Sequence, residues 1–140
     1  MKTLVVLLAL ATPPAFAEEI SEGDLDASAT YGNAQVVILG EVHDNPAHHA
    51  HQARAVAALM PKALVFEMLA PTVPNDMPAP LPDMAALAKT LGWDSAGWPD
   101  FALYYPIFAA APKARIYGAE VPRSAARQAF KDGIAAVFGM

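Results

Sequence analysis

Cysteine is absent from this 140-residue chain, and its absence excludes several kinds of chemistry. Without thiols the chain forms no disulfide bond, holds no metal through thiolates and offers no cysteine nucleophile. It also has no cysteine that could be acylated after export. We therefore expect no lipid anchor on this protein.

Charged residues are scarce as well, and the acidic ones outnumber the basic ones. Asp, Glu, Lys and Arg make up 16% of the chain, and the formal net charge is −5 at pH 7. Because nucleic-acid phosphates and anionic lipids attract basic surfaces, this balance argues against both as partners. Hydrophobic residues make up 55% of the chain, which is enough for the packed core of one domain.

The N-terminal segment has the features of an export signal. An apolar run over residues 4–11 follows Lys2, and a small-x-small pattern at residues 15–17 ends the segment. The apolar run is too short to span a bilayer, and the arrangement is typical of a secretory signal peptide. We predict that residues 1–17 are removed and that the protein resides in the periplasm or the cell envelope.

The rest of the chain is predicted to be an acidic lead-in over residues 18–34 and an α/β domain over residues 35–140. Buried strands are predicted at residues 36–39, 63–69 and 114–121. Helices are predicted at residues 46–60, at 83–91, at 101–111 with a break at Pro106, and from Pro122 to the end. On the first helix the expected apolar stripe consists of His49, Ala53, Val56, Ala57 and Met60. On the last helix it consists of Ala126, Phe130, Ile134 and Val137.

This order of elements indicates a parallel sheet with helices on both faces, in which right-handed crossovers join the strands. Five prolines between residues 71 and 82 exclude regular structure there, and a loop is predicted between Trp93 and Trp98. Three parallel strands leave an open edge and incomplete helical cover. We therefore expect an incomplete domain.

Chemically active side chains follow the predicted strands. Glu41 and His43 come after the first strand, Glu67 lies late in the second, and Glu120 follows the third. In an open parallel sheet these ends share one edge, where ligands bind. A carboxylate at a strand end can also be a helix cap or pair with an arginine, and this structural role is the more frequent one for Glu120.

The four histidines and the aromatic residues leave alternatives open. His48 and His51 share a helix face at a spacing that metal ligands can have, but no H-E-x-x-H motif accompanies them, and we predict no metal site. His49 fits a packed core residue. An aromatic group between residues 93 and 108 could wall an apolar pocket or form a secondary core. Its members are Trp93, Trp98, Phe101, Tyr104, Tyr105 and Phe108.

Residues 37–49 read Val-Ile-Leu-Gly-Glu-Val-His-Asp-Asn-Pro-Ala-His-His, and they closely resemble the opening motif of the ChaN-like haem-binding uptake proteins. Residues 64–68, 98–108 and 118–123 are similar to later motifs of that family, except that Glu120 stands where the family pattern has an asparagine. Two departures matter. Family members are often lipoproteins, and their domain continues to a late histidine in a Gly-Asn-Gly-His run that this sequence does not contain.

The resemblance implies an α/β fold and an exported protein that binds haem in bacterial haem or iron uptake, rather than an enzyme. The residues implied to bind haem are Glu41, His43, His49, Glu67, Trp98, Tyr104 and Tyr105. A second copy of the chain, in a homodimer, is a further possible partner. The alternative, from the wider superfamily, is a metal-assisted hydrolase, an esterase or peptidase, in which Glu41 and His43 activate water and Glu67 acts as a further acid or ligand.

Overall fold

A computed structural model describes residues 21–76 and 80–139 of the chain. The predicted signal peptide lies outside these residues. The described part of the lead-in forms two short 3-10 helices, Glu22–Asp26 and Ser28–Tyr31. Arg54 holds the first of them, because its guanidinium donates to the Asp26 carboxylate at 2.6 Å and to the backbone oxygen of Glu22 at 2.7 Å.

Two parallel strands, β1 (Ala63–Phe66) and β2 (Arg115–Gly118), form the sheet of the described residues. Leu64 of β1 lies opposite Ile116 of β2. Both strands are shorter than predicted, and β1 ends before Glu67. The α/β class and the parallel pairing are confirmed.

The prediction of a buried strand at residues 36–39 is wrong for the structure. This segment forms no strand, and the side chains of Val36 and Ile38 are 78% and 90% exposed. A β-branched run becomes a strand only where a neighbour takes up its backbone hydrogen bonds. Among the described residues no backbone–backbone hydrogen bond involves residues 35–41. A cavity of about 900 Å³ lies between this segment and β1.

The first two α-helices follow the predictions closely. Helix α1 (Pro46–Leu59) begins where the side chain of Asn45 accepts a hydrogen bond from the backbone N–H of Ala47 at 3.0 Å. Helix α2 (Met84–Leu91) begins at Asp83, whose carboxylate accepts from the backbone N–H of Ala86 at 2.8 Å. The irregular structure predicted before α2 is present at residues 70–76 and 80–82, whereas residues 77–79 lie outside the described part.

The next two helices differ from the predictions. The loop predicted between the two tryptophans contains a short helix, α3 (Trp93–Ala96). Helix α4 (Phe101–Ala110) runs through Pro106 without the predicted break. Pro106 and Ala102 are both exposed, so water can bind the carbonyl that the proline leaves without a donor.

The C-terminal helix is divided rather than continuous. Helix α5 (Arg123–Asp132) ends at Gly133, whose φ of 92° is a backbone conformation that glycine adopts without strain. Helix α6 (Ile134–Phe138) follows. The single apolar stripe predicted across this region is therefore broken. Phe130 and Ile134 are exposed in the described chain.

The core lies between the sheet and helices α1, α2 and α4. Tyr104 and Phe108 of α4 are almost fully buried, and the ring of Phe108 stacks on that of Phe66 at a centroid distance of 4.4 Å. Burial of each such side chain contributes roughly 1.5–3 kcal/mol. The opposite face of β1 carries Ala63 and Val65, which are exposed among the described residues, as expected of an incomplete domain.

Helix α1 packs on α4 with a face that matches the predicted stripe only in part, since His49 and Val56 are buried as predicted. His49, Gln52, Ala55 and Val56 are its buried residues. Ala57 and Met60, which were predicted to join the buried face, are exposed. The prediction missed Gln52 because periodicity counts apolar residues, and a buried amide escapes that count.

The outer edge of β2 is covered by the loop that follows β1. The N–H of Ile116 donates to the carbonyl of Asn75 at 2.8 Å. Gly118 permits this close approach, since a Cβ at its position would lie 2.1 Å from the carbonyl oxygen of Ala70. Only β1 therefore has an edge without backbone partners among the described strands.

Candidate functional site

Glu41 is the centre of a hydrogen-bonded network next to the core. One oxygen, Oε1, lies 2.6 Å from Nδ1 of His43 and accepts a hydrogen bond from the Tyr104 hydroxyl at 2.8 Å. The other oxygen, Oε2, lies 3.3 Å from Nδ1 of His49. The side chain of Glu41 is only 11% exposed, so this carboxylate has exchanged most of its water for protein donors.

These donors hold Glu41 in its ionised form. Burial by itself would raise the pKa of the carboxyl group, but hydrogen bonds from His43, Tyr104 and Gln52 and the charge of His49 outweigh burial and lower the pKa. The pKa of Tyr104 is raised well above its usual range, first by burial and then by its hydrogen bond to Glu41. Tyr104 therefore remains a protonated donor at ordinary pH.

His43 is the member of the network that reaches solvent. Its side chain is 39% exposed, and its ring contacts the Trp98 ring edge-on at a centroid distance of 5.2 Å. Because an ionised carboxylate only accepts hydrogen bonds, Nδ1 of His43 must carry the proton that it shares with Glu41. The lone pair of the neutral ring is then on Nε2, to which no hydrogen bond is made by the described residues.

Two of the predicted site residues lie in the core, where they support Glu41. His49 is 1% exposed, and its Nε2 lies 2.9 Å from the carbonyl oxygen of His43. Tyr104 packs on the His49 ring at a centroid distance of 4.2 Å. Their burial leaves no surface for direct contact with a bulky ligand. Both residues are therefore placed to hold Glu41 and His43 in position.

The other predicted site residues lie at different distances from the network. Glu67 follows β1, is exposed, and lines the same cavity as Glu41 and His43. Tyr105 lies apart from them, since its hydroxyl donates to the carbonyl of Pro82 at 3.1 Å. The structure thus brings Glu41, His43 and Glu67 to one cavity, although residues 36–39 form no strand, and it leaves Tyr105 in the wall of the core.

Trp98 carries a polar group without a partner in the described residues. Its indole Nε1 is buried, and no hydrogen bond reaches it. Trp93 differs, because its indole N–H donates to the carbonyl of Pro99 at 2.7 Å. A buried donor without an acceptor costs about 1–3 kcal/mol, so Trp98 beside His43 is a place where a ligand oxygen or a water molecule would be favourable.

Gln52 is the site residue that sequence reasoning missed. It lies one turn after His49 on α1, with its Oε1 3.3 Å from Nδ1 of His49 and its Nε2 3.4 Å from the carbonyl of Leu39. It therefore links the buried histidine to the segment that carries Glu41. The i, i+3 spacing of His49 and Gln52 was the available signal.

The two remaining histidines are used locally. Nδ1 of His48 accepts from the backbone N–H of Val42 at 2.8 Å, and Nε2 of His51 lies 3.4 Å from the Glu22 carboxylate. Within residues 21–76 and 80–139 no cluster of three or more His, Cys, Asp or Glu side chains is arranged to hold a metal ion. In the same ranges no helix is both long and apolar enough to cross a bilayer.

Glu120 lies two residues after β2, and among the described residues its side chain neither caps the next helix nor pairs with an arginine. Its backbone N–H donates to the carbonyl of Leu69 at 2.9 Å, which fixes the chain after the strand. Arg115, a candidate partner, instead lies 3.2 Å from the Asp76 carboxylate. The helix that follows, α5, begins at Arg123, and its N-cap residue is Pro122, which makes no side-chain hydrogen bond.

Comparison with known protein families finds a match over most of the chain. The family model described as "Haem-binding uptake, Tiki superfamily, ChaN" matches residues 27–139, which include Glu41, His43 and both tryptophans. No curated protein and no solved structure matches the chain. The matched span is most of the chain and agrees with the motif resemblance. The protein therefore belongs to the ChaN family of haem-binding uptake proteins in the Tiki superfamily.

Proposed function

We propose that this protein binds haem at the edge formed by Glu41, His43 and Glu67, with Nε2 of His43 as the ligand to iron. The observation that carries the proposal is the 2.6 Å contact between Glu41 and Nδ1 of His43. The name of the family points to haem-binding uptake. The choice of His43 among the candidate residues is supported by its exposure and by its Nε2, which makes no hydrogen bond to the described residues.

The Glu41–His43 pair has the arrangement of a metal-binding histidine with its supporting carboxylate. Metal-binding histidines usually donate their second ring N–H to a carboxylate, which fixes the tautomer and makes the other nitrogen more basic. A proximal histidine is a common ligand of haem iron. His43 is also half-exposed, whereas His49 and Tyr104 are buried, so His43 is the residue that a large flat ligand can approach.

The surroundings of His43 fit such a ligand. The Trp98 ring lies edge-on against the imidazole and offers an apolar surface, and its buried N–H lacks an acceptor among the described residues. When bound, haem supplies an iron centre that accepts a lone pair from the imidazole. The protein supplies the rest: Glu41 orients His43, and Tyr104, His49 and Gln52 keep Glu41 ionised and in place.

A haem titration followed by absorption spectroscopy tests the proposal. His43→Ala should weaken haem binding at least tenfold and alter the spectrum, and added imidazole should restore part of the signal. His51→Ala is the matched control, because His51 is on α1 and pairs with Glu22 away from the network. Wild-type affinity in His43→Ala would refute the assignment of the iron ligand.

Glu41→Gln tests the supporting carboxylate. The amide keeps the size of the side chain but removes the charge that holds the Nδ1 proton of His43. Loss of such a supporting partner typically costs 10–100-fold in metal affinity, and we expect a loss of haem affinity in that range. Unchanged affinity in Glu41→Gln, together with a loss in His43→Ala, would show that His43 binds iron without help from Glu41.

We also propose that the protein acts in haem or iron uptake at the bacterial envelope after removal of residues 1–17. The support is the signal-like pattern of the N-terminal segment and the family name. Intact-mass analysis of protein recovered from the envelope fraction should find a chain that begins at Glu18. A mass that includes residues 1–17 would contradict this part of the proposal.

A hydrolase is the second candidate, because the same Glu41–His43 contact can serve a general base. A carboxylate that fixes the tautomer of an imidazole leaves Nε2 free to take a proton from water. With a bound divalent metal, Glu67 could add a ligand from the same edge. Ester or peptide cleavage that a chelator abolishes and added metal restores, without any spectral change on haem addition, would favour this candidate over haem binding.

A further inference from the structure

The charged residues that line the cavity between residues 35–40 and β1 are separated by sign. The cavity holds about 900 Å³, which is within the range of sites for small molecules and cofactors. The acidic residues in its wall are Glu41 and Glu67, at the edge where we propose haem binding. Lys62 also lines the cavity, and it is the only lysine or arginine in the wall that the described residues form.

Lys62 lies at the other end of this cavity. It directly precedes β1, whereas Glu67 directly follows β1, and five residues of extended chain span roughly 16 Å. Helix α1 indicates the same direction. Gln52 belongs to the network around Glu41, and Leu59, which also lines the cavity, is about 10 Å further along the helix. Lys62 follows Leu59 by three residues, so the cation and the two carboxylates are at opposite ends.

The wall between these two ends is apolar. It consists of side chains from the segment before Glu41, from β1 and from the two helices behind them, namely Val37, Leu39, Leu64, Phe66, Val56 and Ile107. Such a wall favours a ligand whose body is apolar, because burial removes apolar surface from water. The cavity therefore matches an amphiphilic ligand that carries its negative charge at one end.

The charge of Lys62 is available to such a ligand. The neighbouring cation, Arg115, donates its backbone N–H to the carbonyl of Lys62, but its guanidinium pairs with Asp76 at 3.2 Å. Lys62 is exposed and takes part in no salt bridge of the described chain. A carboxylate in the cavity is repelled at the end with Glu41 and Glu67 and attracted at the end with Lys62.

We propose that Lys62 binds the propionate carboxylates of haem, and that the two charged ends of the cavity set the direction in which haem lies, with its iron toward His43. The inference rests on the proposed haem site and adds a second contact to it. Iron is at the centre of the macrocycle and both propionates extend from one rim, so their cation must lie away from the iron ligand. Lys62 meets this condition, and its flexible four-carbon stem lets the ammonium follow the carboxylates.

The preferred ligands are therefore tetrapyrroles with free carboxylates, and iron-free protoporphyrin IX tests Lys62 separately from His43. It keeps both propionates but has no metal for an imidazole to bind. Its affinity can be measured by its fluorescence on titration with the purified protein. Lys62→Gln should weaken this binding about two- to fivefold at low salt, as expected for exposed charge pairs. Lys62→Glu, which replaces attraction by repulsion, should weaken it about tenfold.

Three controls belong to this titration. Lys89→Gln removes an exposed lysine of α2 that does not line the cavity and should bind like the wild type. Added salt should reduce the difference between Lys62→Gln and the wild type, because it screens the attraction. The dimethyl ester of protoporphyrin IX, titrated in the same dilute detergent as the free acid, should bind the wild type and Lys62→Gln equally. The Tm of Lys62→Gln should match that of the wild type, since its side chain is exposed and unpaired among the described residues.

The outcomes separate the two proposals. Haem binding that is lost in His43→Ala, together with protoporphyrin binding that is the same in Lys62→Gln and the wild type, would overturn the role of Lys62 and leave the iron ligand in place. The reverse pattern would overturn the iron ligand and support Lys62. Equal affinity of the wild type for the free acid and the diester would also refute the carboxylate contact, and a wild type that binds neither haem nor protoporphyrin would overturn both proposals.

Discussion

Removal of one hydroxyl group, in Tyr104→Phe, is the sharpest test of the network around Glu41. The ring of Tyr104 is fully buried between His49 and Trp93, with centroid distances of 4.2 Å and 4.6 Å. Phenylalanine keeps this packing. The substitution therefore removes the 2.8 Å hydrogen bond to Glu41 and leaves the shape of the core unchanged.

The size of the effect follows from the charge of the acceptor. A hydrogen bond to a charged group contributes about 1.5–3 kcal/mol to stability, compared with about 0.5–1.5 kcal/mol for a neutral pair. The carboxylate retains His43 at 2.6 Å, so it is not left without donors. We expect the free energy of unfolding at pH 7 to fall by about 1.5–3 kcal/mol, and Tm by about 5–15 °C.

The effect should depend on pH in a defined direction. The pKa of Glu41 is lowered in the folded protein from its ordinary value of 4.5. The stabilisation by its charged form is therefore complete above that ordinary value and is lost as the pH falls through the lower, folded value. Urea unfolding at pH 7 and at pH 3 should show a smaller difference between Tyr104→Phe and the wild type at pH 3.

Tyr105→Phe is the matched control. The Tyr105 hydroxyl donates to a neutral acceptor, the carbonyl of Pro82, at 3.1 Å. Its loss should cost about 0.5–1.5 kcal/mol at both pH values. An equal effect of the two substitutions, or an effect of Tyr104→Phe that does not change with pH, would show that Tyr104 does not stabilise an ionised Glu41.

Two further predictions concern stability. Gly118→Ala should lower the free energy of unfolding, measured in urea, by about 1–3 kcal/mol, because the added Cβ would clash with the carbonyl oxygens of Leu69 and Ala70. The control is Gly40→Ala, whose added Cβ would have no atom of the described chain within 4 Å apart from those of its two neighbours in sequence and which should change the free energy of unfolding by less than about 0.5 kcal/mol. Equal losses in the two variants would contradict this packing. Glu41→Gln should lose less stability than the wild type as the pH falls, because protonation of Glu41, whose pKa is lowered in the folded protein, contributes to the wild-type loss. If the free energy of unfolding depends on pH in the same way in both proteins, that contribution is refuted.

Helix starts and the strand-end site could be predicted because their signals are local. Asn45 and Asp83 cap α1 and α2 with their own side chains, and each bond joins residues only two or three positions apart. Glu41, His43 and Glu67 line one cavity, as the order of the predicted elements indicated, although residues 36–39 before Glu41 form no strand in the described chain. The motif that contains Glu41 and His43 also indicated the family to which the chain belongs.

Burial of the site residues depended on distant contacts. The tyrosine that bonds to Glu41 is 63 residues away in sequence, so no local pattern distinguishes Tyr104, a core donor, from Tyr105, which bonds elsewhere. Gln52 looked like a surface residue because an amide is usually exposed. Its burial follows from the packing of α1 on α4.

The sequence by itself determined the helix boundaries at Asn45 and Asp83, the α/β class, the parallel direction of the strands and the motif around Glu41. Tertiary structure alone decided that residues 36–39 stay irregular, that α4 passes through Pro106 and that His43, rather than His49, is the exposed imidazole beside Glu41. The reason is physical. Caps and turns are satisfied within a few residues, whereas a strand exists only if a neighbour binds its backbone. Likewise, a side chain's exposure depends on which remote elements pack over it.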